Sequence, residues 1–225
     1  MCYRNVKEAI IVANGVIGNY LSVSKKISNY MDVKNAFVIS VDGGIFHMDK
    51  LGLIPNIILG DFDSINDDES IFEKYSGADV IRYNSKKDFT DTELAIRKAL
   101  DLGAEKLYLV GCTGERLDHT LANIFLLDFI ENSGGKGYII DSNNRIECLS
   151  SNKINLKFQE NEFLSIIPIS TYIEKIEISG MKYDLSKKNI KFGSTLMISN
   201  EKASKTPYLN VYGGKVLVIY STDRV

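Results

Sequence analysis

The apolar residues of this 225-residue chain change their period once, near Asn144, and that change constrains the fold more than any single motif does. From Glu8 to about Asn144, short apolar runs alternate with longer amphipathic ones, the rhythm of βα units. Ala9–Ala13, Ala36–Val41, Asn56–Leu59, Val80–Tyr83, Lys106–Val110 and Gly137–Ile140 read as strands. They are nearly continuous apolar runs, as expected of a parallel sheet covered by helices on both faces. Asn19–Met31, Phe46–Leu51, Asp68–Tyr75, Thr92–Leu102 and Leu117–Asn132 read as helices. The last is the most amphipathic, with Leu117, Leu121, Ile124 and Leu127 at helical spacing. Gly, Asp or Asn follows the strands, where open parallel sheets bind their ligands.

Beyond Asn144 the helical period stops. Ile146–Leu149, Ile154–Phe158, Phe163–Pro168, Ile173–Ser179, Ile190–Phe192, Thr195–Ser199, Tyr208–Tyr212 and Val216–Tyr220 are short β runs, which predicts a sandwich or barrel. Tyr212-Gly213-Gly214-Lys215 between two of them is a hairpin signal. At roughly 150 residues per domain the length allows two modest domains. The period places an α/β domain at 1–144 and an all-β domain at 145–225.

With 27 Lys+Arg against 29 Asp+Glu the net charge is −2, so no basic surface is available for a nucleic-acid backbone. No run reaches the roughly 18 apolar residues of a membrane span. The residues from Cys2 to Glu8 lack the apolar stretch of a secretory signal, so a cytoplasmic protein with no membrane partner is expected. Cys2, Cys112 and Cys148 lack CxxC spacing, which suggests neither a disulfide framework nor a zinc site.

Three clusters carry chemistry. Gly60-Asp61-Phe62-Asp63-Ser64 follows an apolar run, and extended backbone would put Asp61 and Asp63 on one side. Two such carboxylates suit Mg²⁺, which commonly binds through one or two carboxylates and substrate phosphates. Equally, Asp63 or Ser64 would cap the helix that follows. Lys87-Asp88-Phe89-Thr90-Asp91-Thr92-Glu93 opens the next helix, where Thr90 and Glu93 fit a capping box but Asp88 and Asp91 together exceed what a helix start requires. Gly111-Cys112-Thr113-Gly114-Glu115-Arg116-Leu117-Asp118-His119 joins a strand to a helix. Its glycines, its helix N-terminus and Arg116 are parts of a phosphate site. Neither GxxxxGK[ST] nor GxGxxG occurs, so Walker-type kinases and Rossmann dehydrogenases have no support.

Taken in order with Val41-Asp42-Gly43-Gly44, these clusters resemble the thiamine pyrophosphokinase family. DGG, GDFDS, KDxTDxE and GxTGxRLDHTLAN stand in family order, followed by Phe192-Gly193-Ser194 and Ile198-Ser199-Asn200-Glu201. The resemblance spans roughly residues 10 to 220. It implies a Rossmann-like α/β catalytic domain with a parallel sheet, then an all-β sandwich, a homodimer, and Mg²⁺-dependent transfer of diphosphate from ATP to thiamine with release of AMP. It puts Asp61, Asp63 and Asp91 around the metal, and the nucleotide at Asp42, Gly43, Asp88, Thr90, Thr113, Gly114 and Arg116. Arg116 and Asp118 match the family's RxD pair, and Ser199 and Asn200 the segment that approaches thiamine, supplied by the second subunit. Asp91 and Asp118 are both candidates to orient or deprotonate the thiamine hydroxyl. The chain has no tryptophan, so Tyr or Phe would stand against thiamine.

Two rival readings remain at this level. Asp-x-Asp at a strand end also serves metal-dependent phosphatases and nucleotide-sugar transferases, although these leave KDFTD and SNE unexplained. A non-catalytic thiamine or nucleotide sensor could share the fold, but would be expected to have damaged acidic motifs.

Overall fold

The structure, a computed structural model, describes residues 6–62, 69–84 and 88–223. Its chain divides into two compact units, Met1–Ser142 and Asn143–Val225. It is a mixed α/β protein in which the first unit carries parallel strands and the second only antiparallel ones.

In the first unit β1 (Glu8–Val12) pairs in parallel with both β2 (Phe37–Val41) and β5 (Lys106–Val110). With β3 (Ile57–Gly60), β4 (Asp79–Arg82) and β6 (Lys136–Ile140) the order is β6-β5-β1-β2-β3-β4. The chain leaves β1 toward β2 and leaves β5 toward β6, in opposite directions, so the carboxyl ends of β1 and β5 form the topological switch point. All residues of β2 and β3 are buried, which explains why their sequences are apolar runs rather than alternations.

Helices α1 (Tyr20–Ser28), α2 (Met48–Leu51), α3 (Glu69–Lys74), α4 (Asp91–Asp101) and α5 (Leu117–Asn132) lie at the predicted places. Asn19 caps α1 by accepting the Ser22 N–H, and Thr90 caps α4 by accepting the Glu93 N–H. Of the expected capping box on α4, the Thr90 half is present; the Glu93 carboxylate accepts from Arg97. The DGG segment forms a 3-10 turn, Asp42–His47, before α2.

Helix α5 departs from the sequence reading. Its buried face is Asn123, Leu127 and Ile130, whereas Leu117, at 71% relative exposure, Leu121 and Phe125 are exposed. Apolar residues occupy both sides, so spacing alone cannot tell which stripe faces the sheet.

The second unit contains two antiparallel sheets. The first has β7 (Asn144–Ser150), β14 (Lys215–Ser221), β9 (Phe163–Pro168) and β12 (Asn200–Glu201) in that order. The other has β8 (Lys153–Asn155), β13 (Tyr208–Tyr212), β10 (Tyr172–Ser179) and β11 (Leu185–Lys191). Gly213 and Gly214 both have positive φ, 73° and 90°, as a tight reversal requires. The expected hairpin is nonetheless absent, because β13 pairs with β10 and β8 while β14 pairs with β7 and β9. Leu209 and Val211 enter the same core as Val216, Val218 and Tyr220, so the turn carries the chain from one sheet to the other. Thr195–Ser199 is likewise not a strand. Met197 is buried in that core and Ser199 takes φ 55°, which breaks extended pairing there.

Candidate active site

Two loops meet at the switch point. The Gly15 N–H donates to the Gly111 carbonyl at 2.7 Å and the Val16 N–H to the Thr113 carbonyl at 2.8 Å. A Cβ on Gly15 would stand 2.4 Å from both of those carbonyl oxygens, so the loops close only because residue 15 has no side chain. From behind, α5 holds the second loop. Asn123 Nδ2 donates to the Cys112 carbonyl at 2.9 Å, and Thr120 Oγ1 accepts the Gly114 N–H at 3.1 Å. Thr113 Oγ1 donates to Asp141 Oδ2 at 3.0 Å, past the end of β6. Each of these bonds ties a loop backbone or hydroxyl to a helix or strand terminus, which fixes the turn before any ligand arrives.

Around these loops opens a crevice of about 540 Å³ lined in part by Asn14, Gly15, Asp42, Asp61, Thr113, Gly114 and Arg116. Asp42 takes φ 46°, a left-handed conformation uncommon outside glycine, at the end of β2. Its carboxylate Oδ1 accepts the Asp61 N–H at 3.2 Å, so the two strand-end aspartates are tied together. Arg116 and Asp118 form a bidentate pair at the mouth of α5, with Nη2 to Oδ2 at 2.6 Å and Nε to Oδ1 at 3.2 Å. The Arg116 guanidinium, with the His119 N–H, lowers the Asp118 carboxyl to about 2.

Of the residues singled out by sequence, Asp42, Asp61, Thr113, Gly114 and Arg116 therefore share one crevice. Gly43 packs against the Asn14 side chain beside it. Asp88 and Thr90 are exposed ahead of α4, and Asp91 opens that helix. Asp63 lies outside the described residues. Ser199 and Asn200 belong to the second unit. Ser199 is exposed, while the Asn200 carboxamide bonds both the N–H and the carbonyl of Tyr183. Sequence reasoning missed Asn14 and Gly15, whose place directly after the first strand was an available signal. Asn123 closes the GxTGxRLDHTLAN motif, but its hold on the loop, from i−4 and i−7 of buried Leu127 and Ile130, is visible only in the structure.

Cys112 lies inside the turn from Gly111 to Gly114, but its thiol is buried, which pushes its pKa up to about 12 and leaves no thiolate at neutral pH. Cys112→Ala should accordingly keep wild-type turnover within about twofold, because the side chain packs and makes only a weak thiol bond to the Val110 carbonyl at 3.8 Å. Steady-state kinetics on the folded variant checks this, and loss of turnover without loss of fold would establish a role for the thiol.

A chain whose parallel strands end at a crevice on the switch point falls in the class of α/β folds that bind their ligands there. Comparison with known proteins narrows that class. The family model "Thiamin pyrophosphokinase, catalytic domain" matches residues 11–135, and "Thiamin pyrophosphokinase, vitamin B1 binding domain" matches residues 151–211. Thiamine pyrophosphokinase of Bacillus subtilis is 33% identical over 211 residues, covering 93% of this chain and 98% of that protein. The crystal structure of thiamine pyrophosphokinase from Bacillus subtilis superposes with a TM-score of 0.86 at 32% identity, over 97% of this chain and 100% of the other. That of thiamin pyrophosphokinase from Geobacillus thermodenitrificans gives 0.82 at 27% identity, over 96% and 98%. The chain belongs to the thiamin pyrophosphokinase family.

Proposed function

We propose that this protein transfers diphosphate from ATP to the hydroxyl of thiamine, giving thiamine diphosphate and AMP. The observation that carries the reading is the crevice at the ends of β1 and β5, which brings Asp42, Asp61 and Arg116 together in a chain of this family. We read the first unit as a Rossmann-like catalytic domain. The second we read as a sandwich that binds thiamine and pairs two chains into a cytoplasmic homodimer. Support for the sandwich is the single apolar core fed by both its sheets. Support for pairing is the exposure of Phe192, Leu196 and Ile198.

In this reading the thiamine hydroxyl oxygen bonds to the β-phosphorus while the bond from that phosphorus to the α–β bridging oxygen breaks, and AMP departs. The zipped loops fix the floor of the crevice, and Arg116 meets charge developing on the phosphates. Asp118 aims that guanidinium. Asp91 and Asp118 are both candidates to orient the thiamine hydroxyl or take its proton. Asn200 braces Tyr183, which sets the turn that presents Ser199 to thiamine.

The donors at the crevice fit Mg²⁺. Oxygen is the only strong donor type there apart from His119, and the nearest thiol is protonated. Mg²⁺ commonly binds through one or two carboxylates together with substrate phosphates. Asp61, Asp63 and Asp91 would hold it, and once bound it would neutralise triphosphate charge.

Mixing the purified protein with ATP, thiamine and Mg²⁺ and separating the nucleotides tests the reading. ATP should disappear only when thiamine is present, and thiamine-independent hydrolysis would favour a phosphatase.

Asp118→Asn isolates the aiming role. A carboxyl depressed to about 2 stays paired with Arg116 throughout the usual assay range, and the pair's contribution is lost only as pH falls through that value. The substitution should lower kcat/KM roughly tenfold, the scale of one charge-assisted hydrogen bond, without moving the acid limb of the pH–rate profile. A shifted acid limb would assign proton transfer to Asp118.

A further inference from the structure

The acidic segment before α4 carries one aromatic side chain, Phe89, which is 42% exposed. Its ring is not idle. The Arg97 guanidinium carbon lies 4.4 Å from the centroid of Phe89 and 4.5 Å from that of Phe129 on α5. Arg97 is itself held one turn along α4 by Glu93, whose Oε1 accepts from Nε at 3.0 Å and from Nη2 at 2.7 Å. A planar guanidinium can offer its edge to a carboxylate while presenting a face to a ring; an ammonium cannot. The contacts run in one line: Phe89 of the acidic segment, Arg97 and Glu93 of α4, and Phe129 of the helix that begins next to Arg116.

We propose that Arg97 is a positioning residue that pins the Asp88–Asp91 segment through Phe89, so that Asp91 is in place before Mg²⁺ and ATP arrive. The proposal rests on the diphosphate-transfer reading, which puts Asp91 at the metal. Asp88, Phe89 and Thr90 are exposed and lie ahead of the helix, so the segment can open away from α4. The stack on Arg97 opposes that opening from outside the crevice. When the segment is already ordered, the ligand need not supply the ordering free energy. Losing the stack therefore weakens binding and leaves the saturated complex largely unchanged.

Arg97→Ala, Arg97→Lys, Phe89→Ala, Phe89→Tyr and the double variant Arg97→Ala/Phe89→Ala test this, with a thermal melt confirming each fold. For Arg97→Ala, half-saturating Mg²⁺ and the KM for ATP should rise about tenfold with kcat within about twofold, which corresponds to about 1.4 kcal/mol of binding free energy. Arg97→Lys should fail to restore binding because it keeps the charge but not the plane. Phe89→Ala should match Arg97→Ala, Phe89→Tyr should behave as wild type, and the double variant should be no worse than either single change. Amide exchange at Phe89–Asp91 in the ligand-free protein should accelerate in both alanine variants.

Unchanged exchange and KM in Arg97→Ala, full rescue by lysine, or additive effects in the double variant would overturn the clasp. Failure of the diphosphate-transfer reading is distinguishable, because wild-type protein would then make no thiamine diphosphate while the ligand-free exchange data still report on the stack.

Discussion

Asp61→Asn and Asp63→Asn should each lower kcat by about 10³-fold while leaving the melting temperature near that of the wild type, because an amide keeps the shape of the side chain and removes the charge it offers. For Asp61 the structural motive is direct: it lines the crevice, and its backbone N–H is held by the Asp42 carboxylate. For Asp63 the motive is its spacing of two from Asp61. Kinetics at limiting and saturating Mg²⁺ check the assignment. Most of the activity surviving at limiting Mg²⁺ would remove the residue concerned from the metal site.

The second large effect comes from a residue with no side chain. A Cβ on Gly60 would fall 1.8 Å from Asp42 Oδ1, so Gly60→Ala must push the Asp42 carboxylate out of its bond to Asp61. The fold should lose about 1–3 kcal/mol, the usual penalty for overpacking. Activity should fall further, about 10²-fold in kcat/KM, because misplacement of a catalytic group by about 1 Å has that scale. Thermal melts and kinetics on one preparation separate the two losses. A variant that lost stability but kept its activity would show that the Asp42–Asp61 link is structural only.

The inner parallel strands β1, β2, β3 and β5 were readable because burial on both faces forces continuous apolar runs, and β5 spans Lys106–Val110 as read. The same burial made α5 misleading: its exposed Leu117 and Leu121 stand at helical spacing, and only packing against the sheet distinguishes them from buried Leu127. Gly213-Gly214 announced a tight reversal correctly. Whether such a turn returns to the same sheet or crosses to another depends on where Leu209 and Val216 find their core, which local sequence does not encode. In the crevice, Asp42, Asp61 and Arg116 were legible because strand ends at a parallel sheet's edge are where ligands bind. Asn123 was legible only as the end of the GxTGxRLDHTLAN motif and Asp141 not at all, because their work is to hold the Cys112 carbonyl and the Thr113 hydroxyl from neighbouring elements. The role of Arg97 was hidden for the same reason, since Phe129 lies 32 residues further along the chain.

Positional labelling tests most directly which phosphorus of ATP is attacked. ATP carrying label in its β-phosphate, and separately in its α-phosphate, is incubated with the protein, thiamine and Mg²⁺. Attack at the β-phosphorus predicts that the β label appears in thiamine diphosphate, one for one with unlabelled AMP, and that the α label stays entirely in AMP. Labelled ADP with thiamine monophosphate, or β label released as inorganic phosphate, would contradict it.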